Sequence, residues 1–289
     1  MLNTVFLTDE TIEKTTPCIL LLGGFDGVHI GHAELVSRAK TYGLPIGITT
    51  IVGVKEGNLF LLSEREQAFK NHGIDFAVEM NFDEIKALSP ERFLAELTSR
   101  FHVKKFVCGS DFRFGCGAAG TPSDIERLCG VPVDEQALLT VDGEKVSART
   151  IKRLLATGDV SSAAKLLGKA YFVAGRVENG RKIGRTIGFA TANVEYPKDK
   201  YPVKEGVYET LVHYAGKAYK GITNFGERPT FSDKAVWLET HLDGFEGDLY
   251  GKEITVEFIR YLRGVRPFEN AEELKEQLQE DLRRVRAND

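Results

Sequence analysis

Short apolar runs alternate with segments of helical periodicity over the first half of the chain. The apolar runs, each of a length typical of a buried strand, cover Cys18–Leu22, Pro45–Val52, Ile74–Met80 and Lys105–Cys108. The helical segments cover Ala33–Lys40, Ser63–Asn71 and Pro90 to Phe101. Strands that alternate with helices predict an α/β domain with a parallel, doubly wound sheet.

Helix-capping residues mark several helix starts in this half. The expected N-caps are Ser89 before Pro90, Ser123 in a capping box with Glu126, Ser147 and Asp159. The helix that Asp159 begins ends at Gly168, and we expect the domain boundary just after that residue.

After Gly168 the pattern changes to short segments rich in β-branched and aromatic residues. These strand candidates are Tyr171–Val177, Val207–Tyr214, Lys217–Thr223, Trp237–Leu242 and Glu253–Tyr261. Turn sequences separate some of them, which predicts an antiparallel barrel or sandwich. Leucines four residues apart predict one amphipathic helix from Asn270 to Arg286. We therefore expect two domains, at residues 1–169 and 170–289.

Composition fits two ordinary globular domains and limits the partners. The chain has 289 residues, of which 42% are hydrophobic and 28% charged, and its net charge is −4. Neither half is basic, so we expect no nucleic-acid partner. The longest apolar stretch is far below the ~20 residues that cross a bilayer, and the first residues lack a signal-peptide pattern. The four cysteines lack metal-site spacing. We expect a cytoplasmic protein with reduced thiols and no membrane partner.

A glycine-rich turn with two histidines follows the first predicted strand. Residues 23–32 are Gly-Gly-Phe-Asp-Gly-Val-His-Ile-Gly-His, and they open the first helix. Glycines allow a ligand to approach the backbone closely, and a helix N-terminus offers N–H groups and positive potential to phosphates. His29 and His32 add potential hydrogen-bond donors at the same place. The pattern indicates a polyphosphate site suited to a pyrophosphate leaving group; the alternative is a tight turn with two surface histidines.

The same ten residues resemble the HIGH signature of nucleotidyltransferases. In the longer form G-x-F-D-G-x-H-x-G-H they are similar to the N-terminal module of bacterial bifunctional riboflavin kinase/FAD synthetases, and residues 109–115 resemble that family's G-x-D-F-x-F-G segment. The resemblance implies a Rossmann-like HIGH-type domain that transfers AMP from ATP to FMN, with His29 and His32 as catalytic residues. The cofactor-binding residues that it implies here are Gly23, Phe25, Asp26, Gly31, Asp111, Ser147 and Arg149.

A second glycine-rich loop, which is also basic, lies between strand candidates of the second half. Residues 180–189 are Gly-Arg-Lys-Ile-Gly-Arg-Thr-Ile-Gly-Phe, followed by Ala-Thr-Ala-Asn. Glycine allows close approach, and lysine and arginine supply charge for phosphates. Thr191 and Asn193 carry hard oxygen atoms that suit Mg²⁺ together with phosphate oxygens. On the residues alone, a solvated basic hairpin followed by a strand-entry turn is the alternative.

This string resembles the riboflavin kinase signature G-R-x-x-G-R-x-x-G-F-P-T-A-N, with Ala190 in place of proline. The resemblance implies an antiparallel β-barrel with a terminal helix that phosphorylates riboflavin to FMN with Mg-ATP. Thr191 and Asn193 match the Mg²⁺ site, and Glu239 matches the base that takes the 5′-hydroxyl proton of riboflavin. The other cofactor-binding residues that it implies are Lys182, Gly184, Arg185 and Arg228. A further family segment, residues 248–251, is interpreted as structural.

Three departures from the family pattern concern the first domain. Gly24 stands where the family has asparagine, residues 49–54 replace a D-P-H-P stretch, and Ala148-Arg149 replaces a pair of hydroxyl residues. The main expectation is a two-step enzyme with riboflavin, FMN and ATP as small-molecule substrates and FAD as a product. The alternatives are a riboflavin kinase with an inactive or repurposed first domain, and a flavin-binding regulator without turnover. The oligomeric state stays open.

Overall fold

The chain divides into two compact units, residues 1–150 and residues 151–289. The computed structural model describes residues 2–7, 14–53, 57–178, 188–227 and 235–287. Among the described helices, none is both long and apolar enough to span a bilayer.

The first unit is an α/β domain built on a six-stranded parallel sheet. Its sheet strands are β1 (Asn3–Phe6), β2 (Lys14–Leu22), β3 (Ile46–Val52), β4 (Phe76–Asn81), β5 (Phe101–Gly109) and β6 (Val133–Gln136). Its helices are α1 (Ile30–Lys40), α2 (Leu62–Asn71), α3 (Phe82–Ile85), α4 (Pro90–Arg100) and α5 (Pro122–Cys129). The strand order is β1-β4-β3-β2-β5-β6, and a small hairpin of β7 (Thr140–Val141) and β8 (Glu144–Lys145) follows. The predicted parallel α/β sheet is confirmed.

Both faces of this sheet are covered, as the alternation of side chains along β2 shows. Leu20 and Leu22 belong to a core that includes residues of α4 and α5. Ile19 and Leu21 belong to a second core that includes residues of α1 and α2. Successive side chains of a strand point to opposite faces, so a strand that is apolar at every position is buried on both. The loop after β2 follows the carboxyl end of that strand. It lies at the edge of the sheet where such folds bind ligands.

The capping box at the start of α5 lies two residues before the predicted one. The N-cap is Thr121, whose N–H donates to the side chain of Asp124, rather than Ser123 with Glu126. Pro122 occupies the first helical position, where its fixed φ and missing N–H are tolerated, and so sets the helix start. The predicted N-cap of α4 is confirmed.

The second unit is an antiparallel β-barrel that closes through a bridge between its end strands. It begins with α6 (Ala148–Thr157) and α7 (Val160–Leu167), of which the first starts just before the division between the units. Its strands are β9 (Tyr171–Arg176), β10 (Ala192–Glu195), β11 (Gly206–Tyr214), β12 (Lys217–Glu227), β13 (Val236–Leu242) and β14 (Glu253–Arg263). The order is β10-β13-β12-β11-β14-β9, and Glu178 bridges to Asn193 of β10. The predicted barrel with a terminal helix, α8 (Ala271–Arg286), is confirmed.

Residues 151–169 belong to the second unit, although we expected a boundary after residue 169. The helix α7 packs on β14 and β9. The carbonyl of Leu155 in α6 accepts a hydrogen bond from the N–H of Lys204, 2.9 Å away. The packing of α7 and the backbone hydrogen bond of α6 therefore connect both helices to the second unit.

A buried ion pair holds α8 on the barrel. The carboxylate of Asp281 is 0% exposed and accepts from Arg263, with Nη2 at 2.8 Å and Nε at 2.9 Å from Oδ2. Gln277 donates to Oδ1 at 3.0 Å. Three donor groups thus compensate for the burial of one charge, as a buried carboxylate requires.

Replacing Asp281 by alanine should destabilise the second unit by about 3–5 kcal/mol, because the Arg263 guanidinium is left without its counter-charge. The only tryptophan of the chain, Trp237, lies in β13, so its fluorescence during urea unfolding reports on this unit. The matched control is Glu280→Ala, one residue away on α8, whose ion pairs are exposed. Equal effects of the two changes would contradict a structural role for the buried pair.

Candidate active sites

The glycine-rich turn joins β2 to α1, and its first histidine starts the helix. The helix begins at Ile30, not at Ala33 as predicted, because His29 acts as the N-cap. Its Nδ1 accepts a hydrogen bond from the backbone N–H of His32 at 3.1 Å. An N-cap side chain that accepts from the third helical residue satisfies one of the free N–H groups of the first turn.

Hydrogen bonds fix different tautomers in the two histidines. Nδ1 of His29 is an acceptor, so the neutral ring carries its proton on Nε2. Nδ1 of His32 lies 2.9 Å from the carbonyl oxygen of Gly27, which can only accept, so this ring carries its proton on Nδ1. The two rings stack with their centroids 3.5 Å apart. The pair therefore offers one N–H donor and one bare nitrogen.

Both imidazoles are held in the neutral form. Burial lowers the pKa of His29 from 6.5 to about 4, although a backbone hydrogen bond and the charge of Asp111 oppose the shift. Burial and then the neighbouring His29 lower the pKa of His32 well below its usual value. At neutral pH the helix start carries no imidazolium charge, and its attraction for anions comes from N–H groups and the helix dipole.

The other loop residues singled out from the sequence have packing and hydrogen-bond roles around this pair. Gly23 donates its N–H to the hydroxyl of Thr49 at 3.1 Å, and Asp26 accepts from the N–H of Leu59 at 2.9 Å. Phe25 is buried with φ at +36°, in the left-handed region. A Cβ at Gly31 would lie 3.4 Å from the His29 ring, at ordinary van der Waals distance, so Gly31 is a direct neighbour of that ring.

Three further predicted residues of the first unit lie on two segments. Asp111 forms an ion pair with Lys145 of β8, a residue that the sequence did not single out. The hydroxyl of Ser147 accepts from the N–H of Thr150 at 3.2 Å and so caps α6. Arg149, in the first turn of that helix, is exposed.

The described part of the second unit has a cleft of about 190 Å³ beside the start of β10. Thr191 and Asn193 both line it, and Asn193 is 5% exposed. Residues 247–250 line it as well, so the structural interpretation of that segment is incomplete: Asp248 and Tyr250 border the candidate site. Four predicted residues, Lys182, Gly184, Arg185 and Arg228, lie outside the described residues.

The candidate base of the second unit lies on the strand next to the cleft. Glu239 of β13 is directly opposite Asn193 of β10 and, on its other side, directly opposite Asn224 of β12. Directly paired residues share one face of a sheet, so the three polar side chains form one row. Sequence analysis did not assign Asn224 a role; the available signal was that it lies four residues before Arg228, which the family resemblance assigns to the site.

His241, two residues after Glu239, ties β13 to the loop before β10. Its Nδ1 donates to the carbonyl of Ala190 at 3.0 Å, and its ring contacts that of Phe189 with centroids 4.9 Å apart. His241 also lines the cleft. Through these two contacts His241 holds the segment before Thr191 against β13.

Two family models match the chain, one in each unit. The model described as FAD synthetase matches residues 11–150, and the model described as riboflavin kinase matches residues 167–288. The folds and these matches define the class: a two-module transferase with a nucleotidyltransferase-type α/β unit and a kinase-type barrel.

Curated relatives match along nearly the whole chain. The bifunctional riboflavin kinase/FMN adenylyltransferase of Haemophilus influenzae is 30% identical over 93% of this chain and 94% of its own length. The protein of the same name from Bacillus subtilis is 32% identical over 93% of this chain and 92% of its own length. The chain belongs to the bifunctional riboflavin kinase/FMN adenylyltransferase family.

A solved structure shares the architecture of both units. The crystal structure of a protein from Streptococcus pneumoniae that is named a macrolide-efflux protein aligns with a TM-score of 0.90 and 26% identity, covering 98% of each chain. The word efflux belongs to the name of that protein. From this similarity we infer only that the two chains share a fold.

The lowered histidine pKa values predict how the first unit responds to acid. Unfolded histidine titrates near its usual 6.5 and folded His29 near 4, so the unfolded chain binds more protons between these values. The first unit should therefore lose stability as the pH falls through that window. Nitrogen-15 NMR should show His29 neutral with its proton on Nε2, and His32 neutral with its proton on Nδ1, at pH 7. An imidazolium at either position at pH 7 would contradict the structure.

Proposed function

We propose that the chain phosphorylates riboflavin to FMN in its barrel unit and adenylylates FMN to FAD in its α/β unit, with ATP as co-substrate in both steps. The residues that we assign to the kinase step all lie within residues 170–289, and those that we assign to the adenylyl transfer all lie within residues 1–169. One observation carries the proposal: each family match falls on a unit that contains a candidate site of the corresponding kind.

In the kinase step, Glu239 accepts the proton of the riboflavin 5′-hydroxyl as that oxygen bonds to the γ-phosphorus of ATP. The bond between the γ-phosphorus and the bridging oxygen breaks, and ADP leaves. The face that Glu239 shares with Asn193 and Asn224 supports this role, since it gives the carboxylate polar neighbours beside the cleft. Lys182, Gly184, Arg185 and Arg228 are assigned to ATP and substrate by the family resemblance alone.

Thr191 and Asn193 are the residues that would hold Mg²⁺ with the ATP phosphates. A hydroxyl and an amide oxygen are hard ligands of the kind that this cation prefers, and both residues border the cleft. When bound, the cation neutralises charge on the transferring phosphate. Asn193 is directly opposite Glu239, so phosphates held at this site would lie near that carboxylate.

In the adenylyl step, a phosphate oxygen of FMN attacks the α-phosphorus of ATP, and the bond to the β-phosphate oxygen breaks to release pyrophosphate. The Nε2–H of His29 and the N-terminus of α1 are suited to stabilise charge on that leaving group. His32 orients the pair through its stacked ring. The other residues assigned to substrate binding are Gly23, Phe25, Asp26, Gly31, Asp111, Ser147 and Arg149.

We also place the protein in the cytoplasm. All four cysteines are free thiols, which fits a reducing compartment, and ATP is the co-substrate of both proposed steps.

Two variants separate the two sites on one chain. Glu239→Gln should abolish FMN formation from riboflavin, because the amide cannot take the hydroxyl proton, and should leave FAD formation from added FMN unchanged. The double variant His29→Ala, His32→Ala should abolish FAD formation from added FMN and leave FMN formation from riboflavin unchanged. Both rates are measured by chromatography with Mg-ATP.

Four outcomes would contradict parts of this assignment. Full FMN formation by Glu239→Gln would overturn the base. Full FAD formation by the histidine variant would overturn the phosphate site. If the wild-type protein made FMN from riboflavin but no FAD from added FMN, the protein would be a riboflavin kinase with an inactive first unit. If it bound flavin without consuming ATP, it would be a flavin-binding regulator.

Removing the Thr191 hydroxyl should weaken the response to magnesium. The variant Thr191→Ala should need several-fold more Mg²⁺ for half-maximal FMN formation, because one hard ligand is lost. Thr157→Ala, in α6 of the same unit, serves as the control and should keep the wild-type requirement. An unchanged requirement in Thr191→Ala would remove that residue from the proposed site.

A further inference from the structure

An arginine that the proposed mechanism does not use lies buried beneath the glycine-rich loop of the first unit. Arg65, on α2, is 2% exposed. Arginine is almost never fully buried unless its charge is paired and its N–H groups are bonded. The groups around Arg65 must therefore compensate for the burial of its charge.

The Arg65 guanidinium donates to the end of the neighbouring strand β3. Nη1 lies 3.0 Å from the hydroxyl oxygen of Thr50 and 3.2 Å from the carbonyl oxygen of Ile51. Thr50 is itself 1% exposed. The guanidinium thus bonds to two consecutive residues at the carboxyl end of β3.

The same two residues contact the glycine-rich loop directly. The N–H of Ile51 donates to the carbonyl of Gly24 at 3.1 Å. The hydroxyl of Thr50 lies 3.3 Å from the carbonyl oxygen of Phe25 and 3.4 Å from that of Gly24. Because its oxygen accepts from Arg65, the single hydroxyl hydrogen of Thr50 is left to donate to the loop.

The loop needs such support at this point. Phe25 has φ at +36°, a conformation that a residue with a side chain adopts only when its surroundings enforce it. Its ring lies 4.3 Å from the His32 ring, centroid to centroid. A shift of the Phe25 backbone would therefore move a direct neighbour of the histidine pair.

Two carboxylates act on the buried charge. Burial lowers the pKa of Arg65, whereas the charges of Asp26 and Glu79 raise it. Glu79 is 3% exposed and lies directly opposite Thr50 on β4. Burial raises the pKa of Glu79, and the charge of Arg65 opposes that shift. The charge of Arg65 thus interacts favourably with a buried acidic residue and with one residue of the loop.

We propose that Arg65 is a positioning residue of the adenylyltransferase site, which acts through Thr50 and Ile51 to hold Gly24 and Phe25 in place. This proposal rests on the adenylyl transfer proposed above. Both bonds come from Nη1. A lysine ammonium would keep the charge but ends one bond short of that nitrogen, so Arg65→Lys should keep the function only in part.

The test compares Arg65→Met, Arg65→Lys and Thr50→Val with wild type. We expect kcat for FAD formation from FMN to fall about 10- to 100-fold in Arg65→Met, as misplacement of a site by about 1 Å does. Thr50→Val should fall in the same direction, and Arg65→Lys should lie between Arg65→Met and wild type. FMN formation by the second unit of the same chain should stay within twofold and serves as the internal control.

A control variant separates positioning from general loss of stability. Leu97→Ala removes a fully buried side chain of α4 from the core that contains Leu20 and Leu22 and that includes no residue of the segment 23–29. It should lower the stability of the first unit yet keep kcat for FAD formation within twofold at a temperature where the unit is folded. If Thr50→Val and Arg65→Lys also kept wild-type kcat, Arg65 would have no positioning role. If Arg65→Met does not fold, these two variants still decide.

Hydrogen exchange gives a readout that does not depend on activity. Arg65→Met and Thr50→Val should speed exchange in the segment 22–29 and leave α4 protected. Leu97→Ala should speed exchange in α4 and leave the segment 22–29 as in wild type. Unchanged exchange in the segment 22–29 would overturn the proposal. If wild type forms no FAD, the proposed adenylyl transfer fails, and the exchange result still shows whether Arg65 holds the loop.

Discussion

The first site depends on one hydrogen bond, from the backbone N–H of His32 to Nδ1 of His29. This bond starts α1 at Ile30 and commits Nδ1 of His29 to accepting, so the proton of that ring stays on Nε2. The stacked His32 ring takes the opposite tautomer because Gly27 offers it a carbonyl. The helix start, the tautomer of His29 and the N–H donor that this tautomer provides are therefore consequences of one capping interaction.

The barrel arranges its candidate site by a different constraint, the register between strands. Glu239 and Asn193 are distant in sequence and become neighbours only because β10 pairs with β13. Changing that register by one residue would move Glu239 to the other face of the sheet. Burial of apolar residues of α8 against the barrel, together with the Asp281–Arg263 pair, stabilises the unit that carries this register.

The order and type of most elements could be predicted from the sequence because apolar runs and helical repeats mark buried faces directly. The strands β1, β6 and β10 are short, and the last two end in polar residues, so they lack that signal. The start of α1 could not be predicted because histidine is not among the usual N-caps. The motif residues were evident from the sequence. Arg65, in contrast, looks in the sequence like any charged residue of a surface helix, and only the fold shows that it is buried against the end of β3.

The central claim is that one chain carries two successive phosphate-transfer sites. Its most direct test is a time course of the unmodified protein with riboflavin, excess ATP and Mg²⁺, in which riboflavin, FMN and FAD are separated and quantified at each point. The account predicts that FMN appears first and that FAD follows with one pyrophosphate released per FAD. Accumulation of FMN with no FAD, or no consumption of riboflavin, would contradict it.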